Sequence, residues 1–565
     1  MILRLRKKAV KEYNKDKKKF EQKEMHLGGS KIIWLSTDKL LRIKNQYLNF
    51  GGKIMIPRIQ NDNGIPTLYV HDKPFFARSG EIHNSSSSNL DYMKEHVWPA
   101  LRELNMNSVI VPLYWETMEP EEGVFDFTLV DGLIAQAREE EKHLIFLWFG
   151  LWKNSESMYV PGWMKQNADT YFRARKVNGE AINTVSPLCE AAVEKDANAF
   201  SKVMAHIRMI DEQESTVIIM QVENEIGLLG TERDYSKEAE EKFKEAVPEE
   251  LKELCQSEGS WKEVFGENAE EYFMAYYFAK AVEKITKAGQ QEYAIPCYAN
   301  AWLRQYPWYA GSYPSGGPVK EVHKIWKIVA PSLFTLAPDI YVPYVANVMD
   351  EYGYEGNPLM IPEVRKDAVT SSYCLYAFAN RNAICYSPFG IEELVLPPQA
   401  IDKPPMEVMI ALNIDPSAFD ITGSKDYLKR TYEMVEQMEP LYLKYRGTDK
   451  LKSYVKKSDT DYGTYFSCEE YDIAIAYAPK GQAKPLAAGV IYELSPNKFL
   501  IGGMMSNFTF RAKAGENKKV DILRFEEGDV VNGEWKAGRI LNGDEKMSIG
   551  LGDMPGWRYV ELYKY

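Results

Sequence analysis

The chain has 565 residues and a formal net charge of −12, too long for one ordinary domain and too acidic for a nucleic-acid partner, which needs a positive surface to displace counterions. Aromatic residues make up 13%, with 12 Trp and 36 Tyr, flat rings with polar edges that suit sugars as well as protein cores. Cys189, Cys255, Cys297, Cys374, Cys385 and Cys468 are scattered, with no C-x-x-C pair and no His at ligand spacing; they read as reduced core thiols of a cytoplasmic protein, and neither a metal nor another cofactor is expected. No apolar run reaches the length of a membrane span, and the first residues do not read as a secretory signal.

Residues 1–54 are dense in lysine (Lys7, Lys8, Lys17, Lys18, Lys19) and are expected to form a disordered basic extension. From about Ile65 to Phe389 short apolar runs alternate with amphipathic stretches, the pattern of parallel strands joined by crossover helices. Eight runs are predicted as strands: Phe75 to Ser79, Ser108 to Leu113, His143 to Trp148, Val217 to Val222, Tyr293 to Cys297, Ile340 to Val342, Leu359 to Pro362, and Ala383 to Tyr386. Eight such units make a (β/α)8 TIM barrel of the α/β class, expected over residues 55–446. Asn89 is placed to cap the first helix, whose Tyr92, Val97, Leu101 and Leu104 share a face. Thr231 to Gly289 is long enough for an insertion with two helices. Ser424 to Tyr445 is helical by period, and residues 447–565 change to strand-like runs with turn signals, predicting a small C-terminal all-β sandwich domain.

In such a barrel the chemistry sits at the C-terminal ends of the strands. The fourth predicted strand ends in Glu223-Asn224-Glu225 and the seventh in Pro362-Glu363-Val364-Arg365. Carboxyls from strands four and seven face each other across a barrel mouth, and glycosidic cleavage requires such a pair: one protonates the leaving oxygen, the other attacks the anomeric carbon or activates water. Glu363, next to the cation Arg365, is expected to stay ionised, whereas apolar walls or a neighbouring carboxylate would keep the strand-four acid protonated.

Glu223-Asn224-Glu225 after an apolar strand resembles the Asn-Glu signature of a large clan of glycosidases. Ser79-Gly80-Glu81-Ile82-His83, the segment Trp115 to Phe127, and Ser387-Pro388-Phe389-Gly390-Ile391 are similar to the corresponding segments of glycoside hydrolase family 35 β-galactosidases. The resemblance covers roughly Ile65 to Tyr445, and the C-terminal module resembles the small β domain of a bacterial subgroup. It implies that Glu225, rather than Glu223, is the acid/base, that Glu363 is the nucleophile, and that Asn224 binds the sugar 2-hydroxyl. The implied activity is retaining hydrolysis of terminal non-reducing β-D-galactosyl residues from oligosaccharides by double displacement. Two departures fall in the sugar pocket by analogy: Trp148 to Asn154 replaces the family's Ala-Glu-Trp segment, and Arg365 stands where a Tyr is common.

Trp115, Trp152, Trp302 and Tyr386 lie at or beyond strand ends and are candidates to stack on a sugar, and Asn154 could hydrogen-bond a hydroxyl. Glu81 and His83 are expected in a structural network beneath the pocket, and Glu119 as a loop anchor. The alternatives are a clan glycosidase acting on glucose or arabinopyranose, and a non-catalytic carbohydrate-binding barrel, since barrels host many functions. The expected partner is a galactoside or oligosaccharide, with no nucleic acid and no membrane; the sequence leaves monomer and homo-oligomer open.

Overall fold

The computed structural model describes residues 55–401, 405–411 and 414–565. The basic segment 1–54 lies outside the described residues. Arg58–Asp62 and Ile65–Val70 form an antiparallel hairpin. Asn63 and Gly64 adopt positive φ at its turn, the geometry that makes Asn-Gly a strong hairpin signal.

Eight parallel strands follow: Ala77–Arg78, Ser108–Tyr114, His143–Lys153, Val217–Asn224, Cys297–Trp302, Leu333–Ile340, Ile361–Val364 and Cys385–Pro388. Each pairs with its neighbour in sequence except the first and second, which meet through a backbone bridge from Glu81 to Ile110; Glu81 also bridges to Phe389 beyond strand eight. That residue closes a TIM-like ring. Ile110, Ile145, Leu147, Ile219, Ala337 and Met360 fill the lower barrel and share one apolar cluster with Leu68 and Val70 of the hairpin, so the hairpin seals the end opposite the catalytic face.

Two strands differ from the sequence expectation. The fifth begins, rather than ends, at Cys297, because the helix Ala269–Glu292 runs up to Tyr293 and Pro296 has no N–H to give a ladder. The sixth, Leu333–Ile340, ends where a strand was expected to start. Both contain polar residues, Asn300 and Asp339, that interrupt the apolar run.

Helices on the outside include Thr128–Glu139, Glu190–Asp211, Thr370–Arg381 and Ser424–Tyr445. Asn89 caps the first helix by accepting from the backbone N–H of Asp91 and Tyr92. Among the described residues no helix is long and apolar enough to cross a membrane.

Beyond Leu451 the chain forms a six-stranded and a four-stranded antiparallel sheet. Period-two alternation divides Ala488–Ser495 between two cores: Ala488, Val490 and Tyr492 join the barrel's helical core, whereas Ile491 packs with Ile473, Phe499 and Phe508 between the sheets. The module is built onto the barrel, with Ser372 Oγ donating to Leu486 O and Trp557 Nε1 to Gln437 Oε1 at 3.1 Å.

Candidate active site

Strand four ends in a strained turn. Glu223 and Glu225 both have positive φ, 63° and 45°, a conformation costing about 1 kcal/mol or more for a residue with a Cβ. The surroundings hold it. The Glu223 carboxylate accepts from Leu151 N (3.1 Å) and Trp152 N (2.6 Å), Glu225 N donates to Asn300 Oδ1 at 2.9 Å, and the loop after strand three reaches back through Asn154 N to Asn224 O and Ser155 N to Glu225 O, each 3.1 Å.

Across the mouth, Glu363 is 5% exposed and Glu225 8%. Asn224 Nδ2 donates to Glu363 Oε1 at 3.3 Å, Tyr341 Oη donates to Glu363 Oε2 at 2.8 Å, and Lys153 Nζ donates to Asn224 Oδ1 at 2.5 Å. Asp339 Oδ2 accepts from Asn300 Nδ2 at 2.7 Å. Strands three to seven therefore all contribute polar groups.

The two glutamates are not equivalent. Burial, then the charge of Glu363, pushes Glu225 up to about 8. Burial also raises Glu363, but the Lys153 ammonium and the Tyr341 hydrogen bond oppose it. The shared proton thus belongs on Glu225, and the donors gather on Glu363. Burial, then the Glu363 charge, holds Asp339 and Glu81 well above the usual carboxylate range. Behind the turn Glu223 is raised by burial and by Asp196, which accepts from Trp148 Nε1 (2.7 Å) and Leu151 N (2.9 Å).

Several sequence candidates stand elsewhere. Arg365 is turned from Glu363: its guanidinium pairs with Asp367 (2.6 Å) and Asp415 (2.9 Å), because those carboxylates fit its fork, and Lys153 supplies the positive charge instead. Trp152 is fully buried, its Nε1 donating to Val185 O and its ring edge-on to Phe278. Trp115 is likewise buried, bonded to Glu119 and packed on Trp148 and Trp163. Tyr386 is buried against Thr370, and its carbonyl accepts from Tyr432. These three rings are packed in the core between strands and helices. Trp302, at the end of strand five, is partly exposed.

Asn154 stays beside the catalytic turn, with its Oδ1 buried and without a hydrogen-bond partner. Glu119 anchors its loop by accepting from Trp115 Nε1 and Gly123 N. His83 pairs with Glu393 at 2.9 Å. Glu81 is not in a hydrogen-bonded network: neither carboxyl oxygen has a partner.

Lys153, Asn300, Asp339 and Tyr341 were given no role by the sequence reading. Each left a trace: a lysine closing an otherwise apolar run, polar residues inside runs five and six, and a tyrosine directly after strand six.

Residues 67–295 match the model of glycosyl hydrolases family 35, and residues 428–550 match a domain of unknown function (DUF5597). The first match takes in Glu81, Lys153 and Glu225 and ends before strand five. No curated protein matches the chain. Among solved structures, the β-galactosidase from Bacillus circulans sp. alkalophilus is similar at TM-score 0.46 and 12% identity, over 65% of this chain and 57% of that one. The catalytic domain of the β-amylase from Paenibacillus polymyxa gives 0.45 and 9%, over 63% and 98%. The β-galactosidase from Rahnella sp. R3 gives 0.41 and 15%, over 56% and 50%. The chain thus spans about half the length of the two β-galactosidases. Residues 67–295, less than half of the chain, are therefore similar to glycosyl hydrolases family 35.

Proposed function

We propose that the chain is a retaining exo-β-glycosidase that removes terminal non-reducing β-D-galactosyl residues from oligosaccharides. The observation that carries this reading is the asymmetry of the buried pair: Glu225 holds a proton to about pH 8, while Glu363 receives Asn224, Tyr341 and the field of Lys153.

In the first step Glu225 protonates the glycosidic oxygen as Glu363 attacks the anomeric carbon, giving a glycosyl-enzyme ester and a free leaving group. Loss of charge from Glu363 removes one of the causes that raise Glu225, the second after burial, so Glu225 stays ionised once it has given up its proton and is free to take one from the incoming water. Water then displaces Glu363, and the product keeps its β configuration. The carboxyls are expected roughly 5–5.5 Å apart, as this mechanism needs. Asn224 and Asn154 are the polar groups we assign to the sugar hydroxyls. The six unpaired thiols support a reducing compartment, and we place the enzyme in the cytoplasm.

A second reading, a sugar other than galactose, is favoured by Lys153 standing at the pair in a strand-three segment unlike the family's. The test is a panel of aryl β-galactosides, β-glucosides and α-L-arabinopyranosides, with the anomer of the first product read by NMR. Cleavage with retention supports the proposal; the inverted anomer first, or no cleavage while sugars still bind, would overturn it. Glu363→Ala should lose essentially all turnover, and Glu225→Ala with an activated aryl glycoside should be rescued by azide as the β-glycosyl azide. An α-azide from Glu225→Ala would reverse the roles.

A further inference from the structure

Strands five and six each carry a polar side chain inside an otherwise apolar run, Asn300 and Asp339, and both are buried. Neither attacks or protonates anything in the double displacement. Buried polar groups are costly unless hydrogen bonds hold them, so their partners show what they are for.

The partners run in one chain to the acid. Glu225 N donates to Asn300 Oδ1 at 2.9 Å, and Asn300 Nδ2 donates to Asp339 Oδ2 at 2.7 Å. From there the chain returns to its origin, because the Asp339 carboxyl stands within hydrogen-bond reach of the Glu225 carboxyl. Among the described residues no N–H group or hydroxyl donates to Asp339 Oδ1. Asp339 also lies opposite Glu363 in the ladder between strands six and seven, which fixes its backbone beside the nucleophile.

Carboxylates only accept hydrogen bonds, so two carboxyls that meet must hold at least one proton between them. A neutral carboxyl accepts through one oxygen and donates through the other. Asp339 Oδ2 is already an acceptor, towards Asn300, which leaves Oδ1 to carry the hydrogen. The surroundings favour that form: burial, then the charges of Glu363, Glu225 and Glu81, disfavour ionisation of Asp339, and Lys153 opposes them. Tyr298, Tyr341 and Tyr352 also feel the Asp339 charge, but burial holds each of them well above the ordinary phenol range, so none adds a charge.

We propose that Asp339 is a positioning residue for the acid/base, a neutral carboxyl whose O–H donates to Glu225 and steadies the Glu225 carboxylate once its proton has gone to the leaving group. Asp339 keeps its own proton throughout. The inference rests on the proposed glycosidase activity and adds a residue to it.

The experiment follows the alkaline limb of kcat/KM for an aryl β-glycoside, which reports the acid of the free enzyme, in wild type, Asp339→Ala and Asp339→Asn. Asp339→Ala is expected to move the limb to higher pH by about one unit, the worth of one hydrogen bond to a charged group. Asp339→Asn, whose amide can accept from Asn300 and donate to Glu225, is expected to bring the limb back. A limb unmoved in Asp339→Ala, or lowered in either variant as the loss of a negative charge would lower it, overturns the proposal. Should Asp339→Ala fail to fold, infrared spectroscopy decides the same point. The difference between wild type and Asp339→Asn should contain the C=O band of a protonated carboxyl on both sides of the limb, moved to lower wavenumber where Glu225 is ionised and the hydrogen bond is charge-assisted. A carboxylate band in its place, or a band indifferent to the limb, would equally overturn it. A wild type inert on every aryl glycoside is the separate outcome that overturns the glycosidase reading, and the positioning role with it.

Discussion

The Lys153 ammonium acts on Glu81, Glu225, Asp339 and Glu363 alike, and it is itself almost fully buried. Removing it should fall hardest on the group that has to be ionised. Lys153→Met is expected to raise the acidic limb of the kcat/KM profile by about one pH unit or more, because Glu363 loses its nearest opposing charge; Lys153→Arg should recover part of the shift. A profile identical to wild type in Lys153→Met would remove Lys153 from the electrostatics of the nucleophile. The alkaline limb belongs to Glu225, and kcat/KM should fall as pH rises through about 8. Stability carries the same sign. The folded-state value lies above the ordinary 4.5, so the contribution is complete at acidic pH and is lost as pH climbs between those values, at about 1.4 kcal/mol per unit from this one group. Glu225→Gln should flatten that decline, seen as a smaller drop in Tm between pH 6 and pH 8.5.

The end of strand four is where element and chemistry meet. Gly150 lets strand three pass the Glu223–Asp196 pair: a Cβ there would meet Asp196 Oδ2 and Glu223 Oε1, each at 2.5 Å. Gly150→Ala should therefore lower Tm and turnover together, whereas Trp152→Ala, cutting a fully buried ring from the wall, should cost about 3–5 kcal/mol of stability without a selective change in KM. A rise in KM at unchanged Tm in Trp152→Ala would return that ring to the pocket.

Legibility in the sequence divides at the same elements. Strands two and three are long apolar runs and strand four opens on four apolar residues, Val217 to Met220, before its change of polarity, and the position of the Glu225 turn could be read from them. Strands five and six could not be placed, because Asn300 and Asp339 break the apolar pattern for the sake of the site. Arg365 misled for a different reason: it lies one residue past the end of strand Ile361–Val364, where strand alternation no longer fixes its direction, and Asp367 and Asp415 take its guanidinium. The buried aromatics were legible as strand-end residues but not as wall or pocket, a distinction set by packing alone.

For the molecule as a whole, the β module covers apolar surface that the barrel cannot hide by itself. Ala488, Val490, Tyr492, Met504 and Trp557 share the barrel's core cluster. A protein ending after Arg446 should aggregate, or melt well below the full chain, even though the proposed acid and nucleophile would remain in it; full solubility and Tm in that truncation would show the module to be an independent appendage. Chelation is a second test at this scale. Prolonged treatment with EDTA is expected to leave turnover and Tm unchanged, and a loss restored by a divalent ion would require a metal in the mechanism.

The bridge at Glu81 ties assembly to competence. One residue bridges the backbone to Ile110 and to Phe389, and its buried carboxyl feels the charges of Glu363 and Glu225. A barrel arrested with that seam open could keep its helices and most of its ladder yet leave that carboxyl away from the pair. Turnover is thus a gauge of ring closure: on refolding, activity should lag behind the return of helical circular dichroism and coincide with amide-exchange protection at Ile82 and Ile110, whose N–H groups donate to Ile110 O and Gly80 O across the seam.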